Sequence, residues 1–206
     1  MARRKKESPG EKKARMVQTA MELILERGPH GFKNSELAKR AKVDQPLISY
    51  YFPTFEALFA AVVQVVLEDL KEAMVSAILA GGEDPERALA NYMVSPLRWS
   101  QEKKEMQTIW TYLYTLTTIN PELKSLNQQI RRGGRERIEL LIFKILEKRK
   151  CRLSENYSVS DLALSIQSII TGYLTMIVTE DHDLERMQRL SFQNALDLIE
   201  KAFIKT

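Results

Sequence analysis

The run Gln45-Pro46-Leu47-Ile48-Ser49-Tyr50-Tyr51 carries side chains whose types and spacing suit contact with base edges and phosphates. On a helix, Ile48 and Tyr51 share one face and leave Gln45, Pro46, Leu47, Ser49 and Tyr50 facing away from it. A glutamine amide pairs in bidentate fashion with adenine, and Pro and Leu surfaces meet a thymine methyl. The hydroxyls of Tyr50 and Tyr51 suit phosphate oxygens. Lys33, Asn34, Ser35, Lys42 and Thr54 flank this run and offer cations, small polar groups and helix-start N–H groups to a polyanion backbone.

Those side chains need two short helices to hold them. A helix-turn-helix requires a small residue where its helices cross, an apolar residue past the turn and apolar anchors on the second helix. Ala38 fills the small position, Val43 follows the turn, Ile48 and Tyr51 are the anchors, and Leu37 and Ala41 complete the inner face. The motif therefore spans residues 34–53, with helices expected over 34–41 and 45–51, the second capped by Asp44 and tolerant of Pro46 in its first turn. A preceding helix is expected from Gly10 to Arg27, ending at Gly28. A long one should follow from the cap Thr54 to Leu79.

The rest of the chain reads as helix as well. Gly81-Gly82 mark a break, and Asp84-Pro85-Glu86 starts a helix running to about Val94, which Pro96 is expected to kink or end. Further helices are expected over 101–118 and from Pro121 to about Lys150. A polar loop should cover 148–157, then helices from the Ser158 cap to Thr179 and from Asp183 to about Phe203. The fold class is all-α. The longest nearly unbroken apolar stretch, Ala57–Leu67, is too short to span a bilayer, the N-terminus lacks the apolar segment of a secretory signal, and the single Cys151 fits a reducing compartment. A cytoplasmic location away from any membrane is the expectation.

Charge is unevenly placed. Residues 1–59 hold 12 Lys/Arg against 7 Asp/Glu, whereas the remainder holds 19 against 20, so the whole excess of +4 comes from the first quarter of the chain. A basic end on a neutral body points that end at a polyanion.

The residues that place the motif also carry a family resemblance. Ala20-Met21-Glu22-Leu23-Ile24-Leu25-Glu26-Arg27-Gly28, Leu37-Ala38-Lys39-Arg40-Ala41-Lys42-Val43 and Tyr50-Tyr51-Phe52-Pro53 followed by Glu56-Ala57-Leu58 resemble the DNA-binding region of the TetR family, without a gap from about Lys13 to Val63. The resemblance implies a basic flexible tail over 1–9 and a three-helix DNA-binding domain over 10–56. A connecting helix over 54–80 and a larger helical ligand-binding and dimerisation domain over 81–206 would follow. It implies a homodimer that binds a double-stranded, pseudo-palindromic operator, represses transcription and is released by a small, largely apolar effector. The alternative is an adaptor of the same fold that marks DNA for a protein partner. Four positions depart from the family pattern. Lys42 stands where Gly is usual, Phe55 where a phosphate-binding Lys is common, and Ser49 where Tyr is frequent. Lys33 takes a capping Ser/Thr position, which leaves Asn34 to cap.

The resemblance beyond residue 80 is architectural. It implies a dimer interface on the last two helices, through Leu162, Ile166, Ile169, Ile170 and Gly172 of one and Leu190, Leu198 and Ile199 of the other; the same stripes would also serve to close the protomer's own core. Trp99, Met106, Trp110, Tyr114, Tyr173 and Met176 are the candidate pocket wall, set against the plainer reading of aromatic core. The run Arg131-Arg132-Gly133-Gly134-Arg135 with Arg137 lies inside a helical stretch, which favours a kink or a helix crossing beneath a solvated basic face over an anion loop. His30 and His182 lack metal-ligand spacing, and no nucleophile elbow or phosphate loop occurs, so no catalytic residue, metal or cofactor is expected.

Overall fold

The computed structural model of the chain describes residues 7–205. These form nine helices, α1 Pro9–Arg27, α2 Asn34–Ala41, α3 Gln45–Tyr51, α4 Phe55–Leu79, α5 Pro85–Glu102, α6 Lys104–Leu116, α7 Pro121–Arg149, α8 Val159–Thr179 and α9 Leu184–Ala202, with two short strands, β1 Cys151–Leu153 and β2 Phe203–Lys205. They divide into two compact units. The first holds residues up to 68 together with 105–127, and the second holds 69–104 together with the chain from 128 onwards. Helices α4 and α7 each contribute to both.

Most helix ends lie where the local chemistry puts them. Ser8 and Glu11 form a full capping box, so α1 begins at Pro9; the basic residues Arg3–Lys6 of the expected tail lie outside the described residues. Asp84 and Asp183 each accept two backbone N–H groups at the starts of α5 and α9, and Ser158 accepts from Asp161 N at the start of α8. Three expectations are corrected. Lys33, not Asn34, stands at the N-cap of α2, and it makes no side-chain cap bond. Asp44 stands at the N-cap of α3 with its carboxylate likewise unused. Pro96 does not end its helix, since α5 runs on to Glu102. Proline removes the N–H that would pair with the carbonyl four residues back, here that of Tyr92. The Ser95 hydroxyl donates to that same carbonyl at 3.4 Å, so the orphaned acceptor of a buried turn keeps a partner.

The expected polar loop over 148–157 contains a strand. Cys151, Arg152 and Leu153 pair antiparallel with Lys205, Ile204 and Phe203, and Ser154 N donates to Ala202 O at 2.9 Å. Three residues show no usable alternation, so the ribbon carried no period to read. The all-α class stands with this small addition.

The first unit buries Met16, Ala20, Leu23 and Ile24 of α1 with Leu37, Ala38 and Ala41 of α2, Ile48 of α3 and the Leu58–Val66 face of α4. The second unit has one core. Leu89, Tyr92, Met93 and Leu97 of α5, Ile138, Leu141, Ile142 and Ile145 of α7, Leu162, Ile166 and Ile170 of α8, and Met187, Ala195 and Ile199 of α9 meet in it. By length and composition α8 is apolar enough to cross a membrane; here one of its faces packs into this core and the other carries Ser168, Thr175 and Thr179.

Charge closes the second unit at one end. Arg149 bonds Glu86 at 3.0 Å and Glu200 at 2.5 Å, and Lys148 bonds Asp84 at 2.9 Å, which ties the end of α7 to the start of α5 and the end of α9. The hydrogen bond from Arg149 holds the Glu86 carboxyl below its ordinary 4.5, and that from Lys148 holds Asp84 below 3.8. Carboxyls so lowered stabilise the fold above their ordinary values and lose that contribution as pH falls through the folded values. Arg149→Met keeps the stem and removes the charge. It should cost about 1 kcal/mol at pH 7 for partly exposed pairs, read by chemical denaturation. The gap between the two proteins should close as pH drops below 4.5 towards 3. A gap that persisted at pH 3 would assign the effect to packing on Phe203, whose ring lies 5.9 Å from the guanidinium.

Candidate nucleic-acid interface

The turn between α2 and α3 determines where α3 points. Lys42 is left-handed at φ 51°, ψ 49°. Val43 N donates to Ala38 O at 3.1 Å and Lys42 N to Lys39 O at 3.4 Å, the paired bonds of a Schellman ending. Arg15 of α1 reaches the last carbonyl of α2, with Nε 2.8 Å from Ala41 O, which places a cation at the negative end of that helix. Arg27 bonds Glu36 at 2.7 Å, and Arg40 bonds Glu26 at 2.7 Å and Glu36 at 3.5 Å, so α1 and α2 are also cross-linked by charge.

With Ile48 fully buried, α3 presents the rest of its surface. Gln45, Pro46, Ser49 and Tyr50 are exposed, Tyr50 by 79%, while Leu47 and Tyr51 are half-buried. The two tyrosine rings meet edge-on at 5.3 Å, which braces Tyr50 without engaging its hydroxyl. Leu47 N donates to the Asp44 carbonyl and Pro46 has no N–H, so the first turn offers the Gln45 N–H and side chain. Lys33, Asn34, Ser35 and Lys42 are exposed at the two ends of α2. Among the described residues, none of Lys33, Asn34, Ser35, Lys42, Gln45, Ser49, Tyr50 and Tyr51 spends its side chain on an internal hydrogen bond or ion pair. Thr54 accepts from Ala57 N at 3.1 Å, which leaves its hydroxyl hydrogen free to donate. A row of solvent-facing donors, acceptors and cations with no internal partner is what a recognition surface needs.

Phe55 does not join this set: its ring lies tilted against His30, at 4.7 Å, and stacked on Phe59, at 5.7 Å, so this position serves packing. One residue that the sequence reading did not select does join it. Lys13 of α1 stands 5.9 Å over the ring of Phe52, just past α3. A cation placed by a tertiary contact leaves no mark in local spacing.

Residues 17–62 match the model of the bacterial regulatory proteins of the tetR family. Over that segment the chain is similar to the DNA-binding region of the TetR family. Its relatives include the HTH-type transcriptional regulator BetI of Burkholderia cenocepacia, 24% identical over 115 residues that cover 56% of this chain and 59% of that protein. The match thus spans under two thirds of that regulator's own length. Solved structures extend the likeness in fold across the chain. A transcriptional regulator from Rhodococcus sp. RHA1 superposes with a TM-score of 0.75 at 16% identity, covering 92% of this chain and 97% of the other. A transcriptional regulator from Saccharomonospora viridis in complex with choline gives 0.73 at 18% identity, covering 96% and all of the other chain. The helix-turn-helix thus lies within the segment that matches the family's DNA-binding domain.

The other expected site residues fall as follows. Leu162, Ile166, Ile170 and Ile199 are sealed in the core of their own unit, at 1%, 0%, 7% and 3% exposure, and have no surface left for a second chain. Ile169 and Leu198 are half-buried against that core, while Gly172 and Leu190 face solvent. For the first four the expectation is corrected: an apolar stripe reports burial, not which neighbour causes it. The six aromatic and Met residues do not form one wall within either unit. Met106, Trp110 and Tyr114 lie on α6 in the first, where Trp110 Nε1 donates to Tyr114 Oη at 2.6 Å. In the second, Tyr173 accepts from Asn194 at 2.8 Å, Met176 is exposed, and Trp99 donates to Asp69 at 2.6 Å. Of the six, Trp99 alone lines the open-sided groove of about 830 Å³ that the second unit carries.

The arginine-glycine run proves to be a helix crossing. A Cβ at Gly134 would stand 2.8 Å from Gln167 Nε2 of α8. That amide donates to Arg131 O at 2.9 Å and accepts from Arg135 at 3.1 Å.

The left-handed Lys42 yields a direct test of the turn. Lys42→Gly should raise the stability of the first unit by up to about 1 kcal/mol, since glycine pays no Cβ penalty there. Denaturant midpoints compared at constant m-value would show it. An unchanged or lowered midpoint would mean that the Lys42 stem makes compensating contacts.

Proposed function

We propose that this protein is a cytoplasmic transcription regulator, a repressor that binds a pseudo-palindromic DNA site as a homodimer and is released by a small, largely apolar effector. The observation that carries the reading is α3, whose outer face exposes Gln45, Pro46, Ser49 and Tyr50, with no internal side-chain hydrogen bond among the described residues. In the major groove such a helix places its N-terminal residues against base edges, so Gln45 reads adenine and Pro46 and Leu47 meet a thymine methyl. Lys33, Asn34, Ser35, Lys42, Tyr50, Tyr51 and Thr54 hold the backbone.

Dimerisation assigns a role to the solvent face of α8 and its neighbour α9. Along α8, Leu164, Ser168, Gly172, Thr175 and Thr179 are exposed. The hydroxyls of Ser168, Thr175 and Thr179 donate back to the carbonyls four residues earlier, at 2.9, 2.9 and 2.8 Å. With those hydroxyls satisfied inside the helix, the face presents short, largely apolar side chains to a mate. Leu190 of α9, 38% exposed, extends it. The effector reading rests on the groove of the second unit, and continuous α4 provides the path from the effector to the reader. The choline held by the neighbour from Saccharomonospora viridis shows a fold of this kind occupied by a small molecule.

Selection of bound duplexes from a random pool at moderate salt tests the reading. An inverted repeat with half-sites about one helical turn, or a multiple of it, apart is the expected outcome. Gln45→Ala should then lose discrimination of about 1–3 kcal/mol at one adenine position while keeping its salt dependence. Salt-sensitive binding without an enriched sequence would overturn the operator reading and favour a DNA-marking adaptor.

Gly172 isolates the dimer. A Cβ there meets nothing within 4 Å in its own protomer and the position is exposed, so Gly172→Trp should leave helicity intact and convert the dimer to monomer in sedimentation. A variant that stayed dimeric would move the interface off this face.

A further inference from the structure

The groove of the second unit has a chemistry that specifies its occupant. Its floor on α4 is alanine at every turn, Ala73, Ala77 and Ala80, and α5 adds Ala90 and Val94. Trp99, 3% exposed, and Phe192 of α9 complete an apolar body. Two guanidiniums flank this body on α5, Arg87 and Arg98. They lie eleven residues apart, hence on one face and about 16 Å along the helix axis.

Among the described residues, neither arginine has a side-chain hydrogen bond or ion pair. Some basic residues elsewhere in this unit have found carboxylates: Arg149 with Glu86 and Glu200, Lys148 with Asp84, Lys103 with Asp69 at 3.3 Å, and Arg189, itself at the groove, with Glu185 at 3.7 Å. Arg87 and Arg98 have no such bond among the described residues. Glu102 and Glu185 also line the groove. Arg149 draws Glu200 to Glu86, so α9 runs antiparallel to α5 and Glu185 lies with Glu102 towards the Arg98 end. The Arg87 end, with Ala80, Ala90 and Asn91, has no carboxylate in its lining.

We propose that this groove binds an elongated organic anion, its apolar chain lying on the alanines of α4 against Trp99 and Phe192, and its carboxylate or equivalent head paired with Arg87 or Arg98. A volume of about 830 Å³ lies within the range of small-molecule sites. A free guanidinium beside an apolar trough matches an amphipathic acid and repels a cation. The inference deepens the effector reading by naming the ligand's chemical class.

Dodecanoate, held below its micelle concentration, is the probe, with full-length protein in a calorimeter and Trp fluorescence read in parallel. One molecule should bind per protomer and perturb Trp99 emission. At least one of Arg87→Gln and Arg98→Gln should weaken it by about tenfold, as loss of a charge-assisted hydrogen bond implies. Ala77→Phe, which fills the floor, should abolish it, while Leu140→Ala, a change at an exposed α7 residue outside the lining, should leave it unchanged. Equal binding of dodecyltrimethylammonium, competition by choline, binding that ignores Ala77→Phe, or no binding at all would each overturn the proposal. Because binding is read without DNA, its failure leaves operator recognition standing. Failure of operator recognition would leave the calorimetric result untouched.

Discussion

A lysine held in a left-handed conformation is the constraint on which the DNA-binding unit depends. Without it α2 would run on and α3 would have no fixed exit direction. The strain of roughly 1 kcal/mol is offset locally. Lys42 and Val43 donate back into α2, Arg15 caps the Ala41 carbonyl, and the turn lets Ile48 drop into the same core as Leu37 and Ala41. Burying a side chain the size of isoleucine is worth about 1.5–3 kcal/mol, so the local balance favours the turn. The Arg27–Glu36–Arg40–Glu26 network adds orientation more than energy, because exposed pairs contribute little. What this rigidity provides is a short helix whose outer face needs no internal partner and is therefore free to meet another molecule.

The same logic of leftover faces organises the second unit. Each helix there spends one stripe on the common core, and function is left to what remains. Along α8 the core takes Leu162, Ile166, Ile170 and Ile177, which leaves a face of small residues with self-satisfied hydroxyls. Along α9 it takes Met187, Ser191, Ala195 and Ile199, leaving Glu185, Gln188, Arg189 and Phe192 to wall the groove. Alanine on α4 keeps that groove open, because larger side chains at 73, 77 and 80 would fill it.

Legibility in the sequence followed from how local each signal is. The ends of α1, α2, α3, α8 and α9 were readable to within a residue or so because Ser158 and Asp183 cap at short range and Gly28 and Lys42 end helices locally. The exposed reading face of α3 was readable for the same reason, since seven residues with one buried anchor define it. Pro96 misled because its rescue depends on a serine hydroxyl bonding within a buried turn. The β1–β2 ribbon escaped because its pairing joins residues about fifty positions apart. The dimer stripe was half wrong for a deeper reason: periodicity identifies the buried side of α8 and cannot say whether its own chain or another buries it. The groove was silent, since alanines and unpaired arginines look like any solvated helix until the elements are placed.

The arginines at 131–137 show how a conspicuous sequence can serve register instead of ligand binding. Removing every side chain at Gly134 lets Gln167 come within the space a Cβ would occupy. The amide then bonds the backbone of Arg131 and the guanidinium of Arg135, and Thr171 accepts from Arg131 at 2.7 Å. Tyr92, buried on α5, donates to the carbonyl of Gly134 at 3.3 Å, and burial raises its phenol above the usual range, so it remains a neutral donor. An apolar contact tolerates sliding by one turn; a layer of directional bonds centred on one glycine does not. Fixing α7 against α5 and α8 in this way fixes where α8 presents its outer face.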